Sequence, residues 1–276
     1  MRAFLLFLLC MLPATRTAAA PAENAPGAAV SGTDIERPLA IAAAANEDLA
    51  FVRHRGVDLY ERHQATLLAL DAAREIDLGS MPSEGWITVR ESEGLRVRFV
   101  GACEEGPCAI LDVLIDSERL SARSVFPPEV LGGDELRAWR ARSLAFEELT
   151  ATCEVPYNAV AIPPDGGEGQ WTVYLVPQPA DAEVVAVGGH MRAFLDPDAR
   201  EILRAEDFSA GCLLLQRTPE QKQLAIDYAR APLPAETHVL NSLLHGLVLF
   251  VGARRGVYRV NGDQVERLRA AEAASP

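Results

Sequence analysis

The chain has 276 residues, of which 49% are hydrophobic, and a formal net charge of −13. This length suits one large domain or two small ones, and either arrangement can bury a sizeable core. So large an excess of acidic residues repels phosphate backbones and anionic lipid head groups, which argues against nucleic acid as a partner.

The first twenty residues have the three parts of a secretory signal peptide. Arg2 supplies the positive charge, residues 3–12 form an almost unbroken apolar run, and small residues follow at Thr17–Ala20. The apolar run is about half as long as the ~20 residues that a membrane-spanning helix needs. We therefore predict a cleaved signal peptide over residues 1–20, a flexible leader over residues 21–38, and a periplasmic or secreted protein that is not an integral membrane protein.

Four cysteines follow the predicted signal peptide, namely Cys103, Cys108, Cys153 and Cys212. An even number of cysteines in an exported chain indicates disulfides, although the spacing alone leaves more than one connectivity open. The turn-forming residues Glu104–Pro107 can bring the first two cysteines together, which leaves the other two to pair. Metal binding is the alternative, but the spacing lacks the usual close pair and no histidine lies nearby in the sequence, so no metal site is expected.

Hydrophobic periodicity predicts a helix followed by a small sheet. The helix runs from Leu39 to Ala73, and Gly56 is a point where it could kink or divide. Two alternating segments then form a hairpin pattern and a third strand follows them. The three strands are Trp86–Arg90, Leu95–Val100 and Cys108–Ile115. Together these elements predict an N-terminal α+β lobe over residues 39–150.

A connecting helix and a larger set of strands complete the chain. The helix is predicted from Asp134 to Leu149, with Trp139 and Phe146 as large anchors on one face. A capping pattern predicts a short helix from Thr218 to Arg230. The remaining segments are predicted as strands in an antiparallel meander: Ala159–Ile162, Trp171–Val176, Val184–Leu195, Glu201–Asp207, Cys212–Gln216, Thr237–Leu243, Leu247–Val251, Gly256–Val260 and Val265–Leu268. The fold class is therefore α+β, with an N-terminal helix on a small antiparallel sheet, a connecting helix and a mainly antiparallel β lobe over residues 151–276.

The common catalytic and cofactor-binding signatures are absent from the sequence, so no cofactor is expected. The five histidines are the remaining candidates for chemistry. His63 falls on the apolar stripe of the first helix, which favours a hydrogen-bonded core histidine over a ligand. His238 falls on a predicted strand and His245 in the turn after it, and no nucleophile lies near either one in the sequence.

His190 is the most informative histidine, because two glycines precede it and permit a close approach of another backbone. If the following hairpin turns about Asp198, His190 faces Glu206 and Arg192 faces Arg204 across two strands. A carboxylate beside the histidine would favour the imidazolium, and the two arginines could bind an anion. These four residues are the candidate binding site. The alternative is a polar outer sheet face that serves solubility alone.

Several segments of the second half resemble a region of uncharacterised exported bacterial proteins. They are the loop and strands within Cys153–Gln216, in particular Trp171–Leu175, Gly188–Arg192 and Ser209–Cys212, together with the closing segment Val257–Gly262. The resemblance covers about the last half of the chain. It implies export and carries no activity with it.

These observations favour a non-enzymatic exported protein that binds another protein or a component of the cell envelope. One alternative is a hydrolase that uses His190 with Glu206, and another is a metal-binding protein. An enzyme should place His190 in a concave pocket with a serine, a cysteine or a carboxylate within hydrogen-bond reach. A binding module should instead expose an apolar patch without such a group.

Overall fold

The computed structural model describes residues 36–76, 82–116 and 120–268, with side chains described from residue 48 onward. The predicted signal peptide (1–20) and residues 21–35 of the predicted leader lie outside the described residues. Contacts divide the chain into two units, Met1–Ala43 and Ala44–Pro276. The predicted α+β class is confirmed, since three α-helices and four sheets make up the described part of the chain.

The first elements are a long helix and a four-stranded antiparallel sheet. They are α1 (Glu36–Ala73), β1 (Gly85–Arg90), β2 (Leu95–Cys103), β3 (Gly106–Ile115) and β4 (Leu120–Val130), with the strands in sequence order. The sequence pattern misses β4, because Pro127 and Pro128 indicate a break; an edge strand tolerates prolines that a central strand does not. Gly56 neither ends nor divides α1. A Cβ there would lie 2.5 Å from the Cβ of Val239, so glycine permits the close approach of another helix.

A second helix and a central sheet follow. They are α2 (Gly133–Glu148), β5 (Tyr157–Ile162), β6 (Trp171–Pro177), β7 (Val184–Ala186), β8 (Met191–Leu195), β9 (Ile202–Asp207) and β10 (Leu214–Gln216). The central sheet is antiparallel in the order β5-β6-β8-β9, while β7 pairs with β10. The predicted strand Val184–Leu195 is therefore divided into β7 and β8 around the two glycines that precede His190.

The last elements correct two predictions. They are β11 (Gln223–Tyr228), α3 (Glu236–His245), β12 (Val248–Ala253), β13 (Gly256–Asn261) and β14 (Gln264–Arg267). The helix predicted from Thr218 is wrong, because its capping residues form only a turn and the residues after it alternate between outside and inside as β11, which pairs in parallel with β12. The strand predicted at Thr237–Leu243 is also wrong, because these residues form α3, which Gly246 ends in the left-handed conformation.

Both faces of the central sheet are covered. On one face α2 packs through the small residues Ala138, Ala141 and Ala145 against Val173 and Leu175. On the other face α1, α3 and the C-terminal strands bury a second apolar cluster. The C-terminal part of α1 covers the first sheet in a third cluster. Both faces of the central sheet are therefore largely covered, and Arg192 on its second face lies inside the protein, while Arg204 on the edge strand β9 is exposed.

The two predicted disulfides are confirmed. Cys103 is bonded to Cys108 across the β2–β3 hairpin, and Cys153 is bonded to Cys212. Such bonds indicate an oxidising location outside the cytoplasm. Among the described helices, none combines the length and the hydropathy needed to span a bilayer.

Candidate functional site

The predicted pairing of His190 with Glu206 is wrong. β8 and β9 instead pair Arg192 with Glu206 and Phe194 with Arg204, which differs by two residues from the predicted register. The backbone carbonyl of His190 accepts a hydrogen bond from the N–H of Phe208.

The hairpin loop explains the difference in register. Asp196 accepts hydrogen bonds from the backbone N–H groups of Arg200 and Glu201, so the loop is longer than a tight turn about Asp198. A bulge between Phe194 and Leu195 adds a further shift. Neither feature has a strong local sequence signal.

Arg192 lies inside the protein rather than on an outer sheet face. Its guanidinium donates hydrogen bonds to Glu206 and to Glu236, the first residue of α3, and lies 5.1 Å from the ring centroid of Phe208. Arg204 is largely exposed and pairs with Glu206 at the rim. Both arginines already have a carboxylate partner, so the candidate residues do not form a free anion site; Arg192 instead joins α3 to the sheet through Glu236 and Glu206.

His190 does not have the surroundings of a catalytic base. It is 2% exposed, and its Nε2 atom has no hydrogen-bond partner among the described residues. Burial, and then the neighbouring His238, lower its pKa to about 3, so the ring is neutral at neutral pH. The expected imidazolium beside a carboxylate is therefore contradicted. Among the described residues, no group of three or more histidine, cysteine, aspartate or glutamate side chains is placed to hold a metal ion.

A different arginine forms the most unusual polar feature of the described structure. Arg142 lies on the buried face of α2 and is 8% exposed. Its guanidinium carbon lies 4.8 Å from the ring centroid of Trp86, 5.6 Å from that of Trp139 and 5.7 Å from that of Phe146. Gly85 makes room for it, because a Cβ at that position would lie 2.7 Å from Nη1. The guanidinium is thus held by aromatic rings and a glycine backbone.

The charge of Arg142 has no acidic partner within the described part of the chain. The Nε atom is buried without a hydrogen bond, and burial lowers the pKa of the side chain to about 10. The other deeply buried arginines differ, since Arg55, Arg62 and Arg98 each lie within 3.3 Å of a carboxylate. Arg142 therefore remains charged at neutral pH while its neighbours supply only the weaker attraction of aromatic faces.

The aromatic cluster extends to the protein surface. Phe146 is 48% exposed and Trp139 is partly buried. We refer to Trp139, Arg142 and Phe146 as the α2 patch. A guanidinium stacked on rings keeps its in-plane N–H groups for an oxyanion, which it can bind through two parallel hydrogen bonds.

Sequence reasoning identified the two aromatic anchors of the α2 patch but missed Arg142. The signal that could have found it is helical spacing, since Arg142 follows Trp139 by three residues and precedes Phe146 by four. What the sequence could not indicate is the absence of a carboxylate, because that depends on how α2 lies against β1. No family model, no curated protein and no solved structure matches this chain.

Proposed function

We propose that this chain is an exported, non-enzymatic interaction protein, periplasmic or secreted, whose α2 patch binds an acidic group of a protein partner. The observation that carries the proposal is the buried charge of Arg142 without a carboxylate. The disulfides and the sequence of residues 1–20 support export.

The energetics favour binding as the reason for keeping this arginine. Removing a guanidinium from water costs several kcal/mol, whereas cation–π contacts return about 0.5–2 kcal/mol. A partner carboxylate would supply the missing compensation at the moment of binding. Tryptophan, arginine and phenylalanine are also residue types that are enriched in protein–protein interfaces.

The contacts of His190 and Glu206 do not favour the alternative of a hydrolase. Glu206, its proposed partner to His190, is engaged by Arg192, and the histidine ring is buried with a pKa lowered by that burial. Arg192 and Glu206 are better explained by the ion pairs through which Arg192 links the sheet to Glu236 of α3.

The test compares three forms of the tagged protein as baits for proteins released from the envelope of the producing cell. They are the wild type, Arg142→Gln and the matched control Arg140→Gln, which changes a partly exposed arginine of the same helix. We expect one or more partners to be retained by the wild type and by Arg140→Gln, and to bind at least tenfold more weakly to Arg142→Gln.

Binding measured on a recovered partner should also weaken with salt, because the contact is between charges. Equal retention by all three baits would contradict the role of Arg142, and so would equal loss from both variants. Urea unfolding of each bait verifies that the variants are folded before the comparison is made.

A further inference from the structure

A cleft on another side of the molecule has the features of a small-molecule site. Its volume is about 310 Å³, and it lies between α1, the C-terminal end of α3 and the segment that joins β6 to β7. Most of its wall is apolar, with Leu67 from α1, Val176 from β6 and Leu244 from α3. Cavities of this size and composition can enclose much of a small ligand. The polar groups of the wall then determine which ligand is accepted.

His63 lines the cleft, and two hydrogen bonds determine which of its nitrogens carries the proton. Trp86 donates from Nε1 to the side-chain oxygen of Asn158 at 3.2 Å, which orients the amide. The amide nitrogen of Asn158 then donates to Nδ1 of His63 at 3.0 Å. Because Nδ1 accepts this bond, the proton of the neutral ring resides on Nε2. His63 therefore presents an N–H donor rather than an acceptor.

A second donor in the cleft wall is the side-chain amide of Gln178. Its nitrogen is buried and makes no hydrogen bond to the described residues. A buried amide without a partner costs about 1–3 kcal/mol in free energy, so this group favours a ligand that offers it an acceptor. Both unpaired groups thus call for an oxygen or nitrogen acceptor on the ligand.

The charges around the cleft disfavour an anion. Burial, followed by the positive charge of Arg217, lowers the pKa of His245 to about 4, and burial lowers the pKa of His63 to the same value. Both rings are neutral at neutral pH. Arg217 lies 3.5 Å from Glu183 and donates to the carbonyl of His245, so its charge is compensated within the wall. A ligand carboxylate would therefore lose its hydration without gaining an unpaired cation.

We propose that this cleft binds an uncharged, largely apolar small molecule whose carbonyl-type oxygen accepts hydrogen bonds from His63 and Gln178. The site is independent of the α2 patch. Its specificity for an acceptor depends on Asn158, which keeps the proton of His63 on Nε2.

Two probes of equal chain length test the ligand class at pH 7. N,N-dimethyloctanamide is neutral and can only accept hydrogen bonds, whereas octanoate carries a negative charge. Titration of the isotopically labelled protein by NMR follows the His63 imidazole nitrogens and the Gln178 side-chain amide. We expect the amide probe to shift both signals and to bind at least tenfold more tightly than octanoate. Octanoate binding as tightly as the amide, or the absence of any shift, overturns the proposal.

Variants of the wall test the location. Ala182→Trp changes an exposed lining residue and should remove amide binding by filling the cleft, whereas Ala210→Trp, at an exposed position outside the cleft, should leave it unchanged. Gln178→Leu keeps the volume, removes one donor and should weaken binding about threefold to tenfold. Unchanged affinity in Ala182→Trp would place the probe elsewhere and overturn the site.

Asn158→Asp tests the tautomer directly. An aspartate accepts a hydrogen bond from Nδ1–H and also raises the pKa of His63, so the comparison is made at about pH 9, where the ring is neutral; there the imidazole proton should move from Nε2 to Nδ1 and the amide probe should lose at least tenfold in affinity. The nitrogen chemical shifts of His63 report the tautomer. Finding the proton on Nδ1 in the wild type would also overturn the proposal, and that measurement does not depend on the variant folding.

Discussion

Two buried arginines of this protein differ in whether carboxylates compensate their charge. Arg98 in β2 is 3% exposed and donates two hydrogen bonds to Asp112, at 2.8 and 3.0 Å, and a third to Glu135 at 2.8 Å. Arg142 in α2 is 8% exposed and contacts three aromatic rings, with no carboxylate among the described residues.

Folding supplies carboxylate partners for the charge of Arg98, whereas the charge of Arg142 has no carboxylate partner among the described residues. The carboxylates around Arg98 come from the adjacent strand and from the first turn of α2, so folding brings the ion pairs together. Nothing in the described structure does the same for Arg142. A buried charge that lowers stability and has no compensating contact nearby is a candidate for a functional role.

The largest expected effect concerns buried histidines, which are neutral in the folded protein and must take up a proton as the pH falls. Burial lowers the pKa of His63 to about 4, of His190 to about 3 and of His238 to about 4. Because the folded pKa lies below the unfolded value near 6.5, protonation favours the unfolded chain. Stability is therefore fully present above about pH 6.5 and is lost as the pH falls towards 4, by roughly 3 kcal/mol for each histidine. Urea unfolding at pH values from 7 to 4.5 measures this loss, and a constant free energy of unfolding would contradict it.

The next effect is the loss of compensation at Arg98. Asp112→Asn removes the charge that the guanidinium binds through two hydrogen bonds, and we expect the free energy of unfolding to fall by about 3 kcal/mol. Glu129→Gln is the matched control, since its carboxylate is 62% exposed and lies 3.3 Å from the same guanidinium. The control should cost less than about 1 kcal/mol. Equal costs for the two variants would show that burial does not distinguish these contacts.

A smaller effect is expected from Gly85→Ala. The added Cβ would lie 2.7 Å from Nη1 of Arg142 and push the guanidinium away from Trp86. We expect a destabilisation of about 2 kcal/mol, because a cation–π contact is lost and because Gly85 has a φ of +155°, which L residues rarely adopt. Repeating the change in the Arg142→Met background should reduce the effect, because the clash is then removed. If Gly85→Ala lowers the free energy of unfolding by the same amount in both backgrounds, the loss arises from the backbone alone.

The smallest effect has the opposite sign. Arg142→Met keeps an unbranched side chain against the rings and removes the uncompensated charge, so we expect unfolding to become harder by about 1 kcal/mol. Denaturant unfolding of the two proteins measures the difference. A clear loss of stability would mean that the aromatic rings alone repay the burial of the guanidinium, and the comparison with Arg98 would lose its functional meaning.

Much of the fold could be predicted because its signals are local. The helix α1 has a long apolar stripe, the β1–β2 hairpin has alternating residues around a turn, and the Cys103–Cys108 bridge spans five positions. By contrast, β11 and α3 were each predicted as the other kind of element. Their segments are short, and parallel pairing with β12 and packing beneath the sheet outweighed the weak local preference.

The site could be predicted only in part. Trp139 and Phe146 lie on one helix face by spacing alone, and His63 was correctly predicted as a hydrogen-bonded core histidine. The pairing of His190 with Glu206 failed because a bulge and a six-residue loop moved the register by two residues. The sequence analysis also allowed for a polar, solvent-exposed sheet face around Arg192, but α3 packs against this face at Arg192.

By itself, the sequence determined the fold class, the local Cys103–Cys108 disulfide, which left Cys153 and Cys212 to pair, and the order of most elements. Periodicity, turn chemistry and short cysteine spacing act between residues close in the chain. Only the tertiary structure decided which charges are compensated and which nitrogen of His63 carries its proton. Those properties depend on contacts between segments that are distant in the chain, such as Asn158 with α1 and Arg142 with β1. Burial, rather than residue type, determines how strongly such contacts act on a charge or a proton.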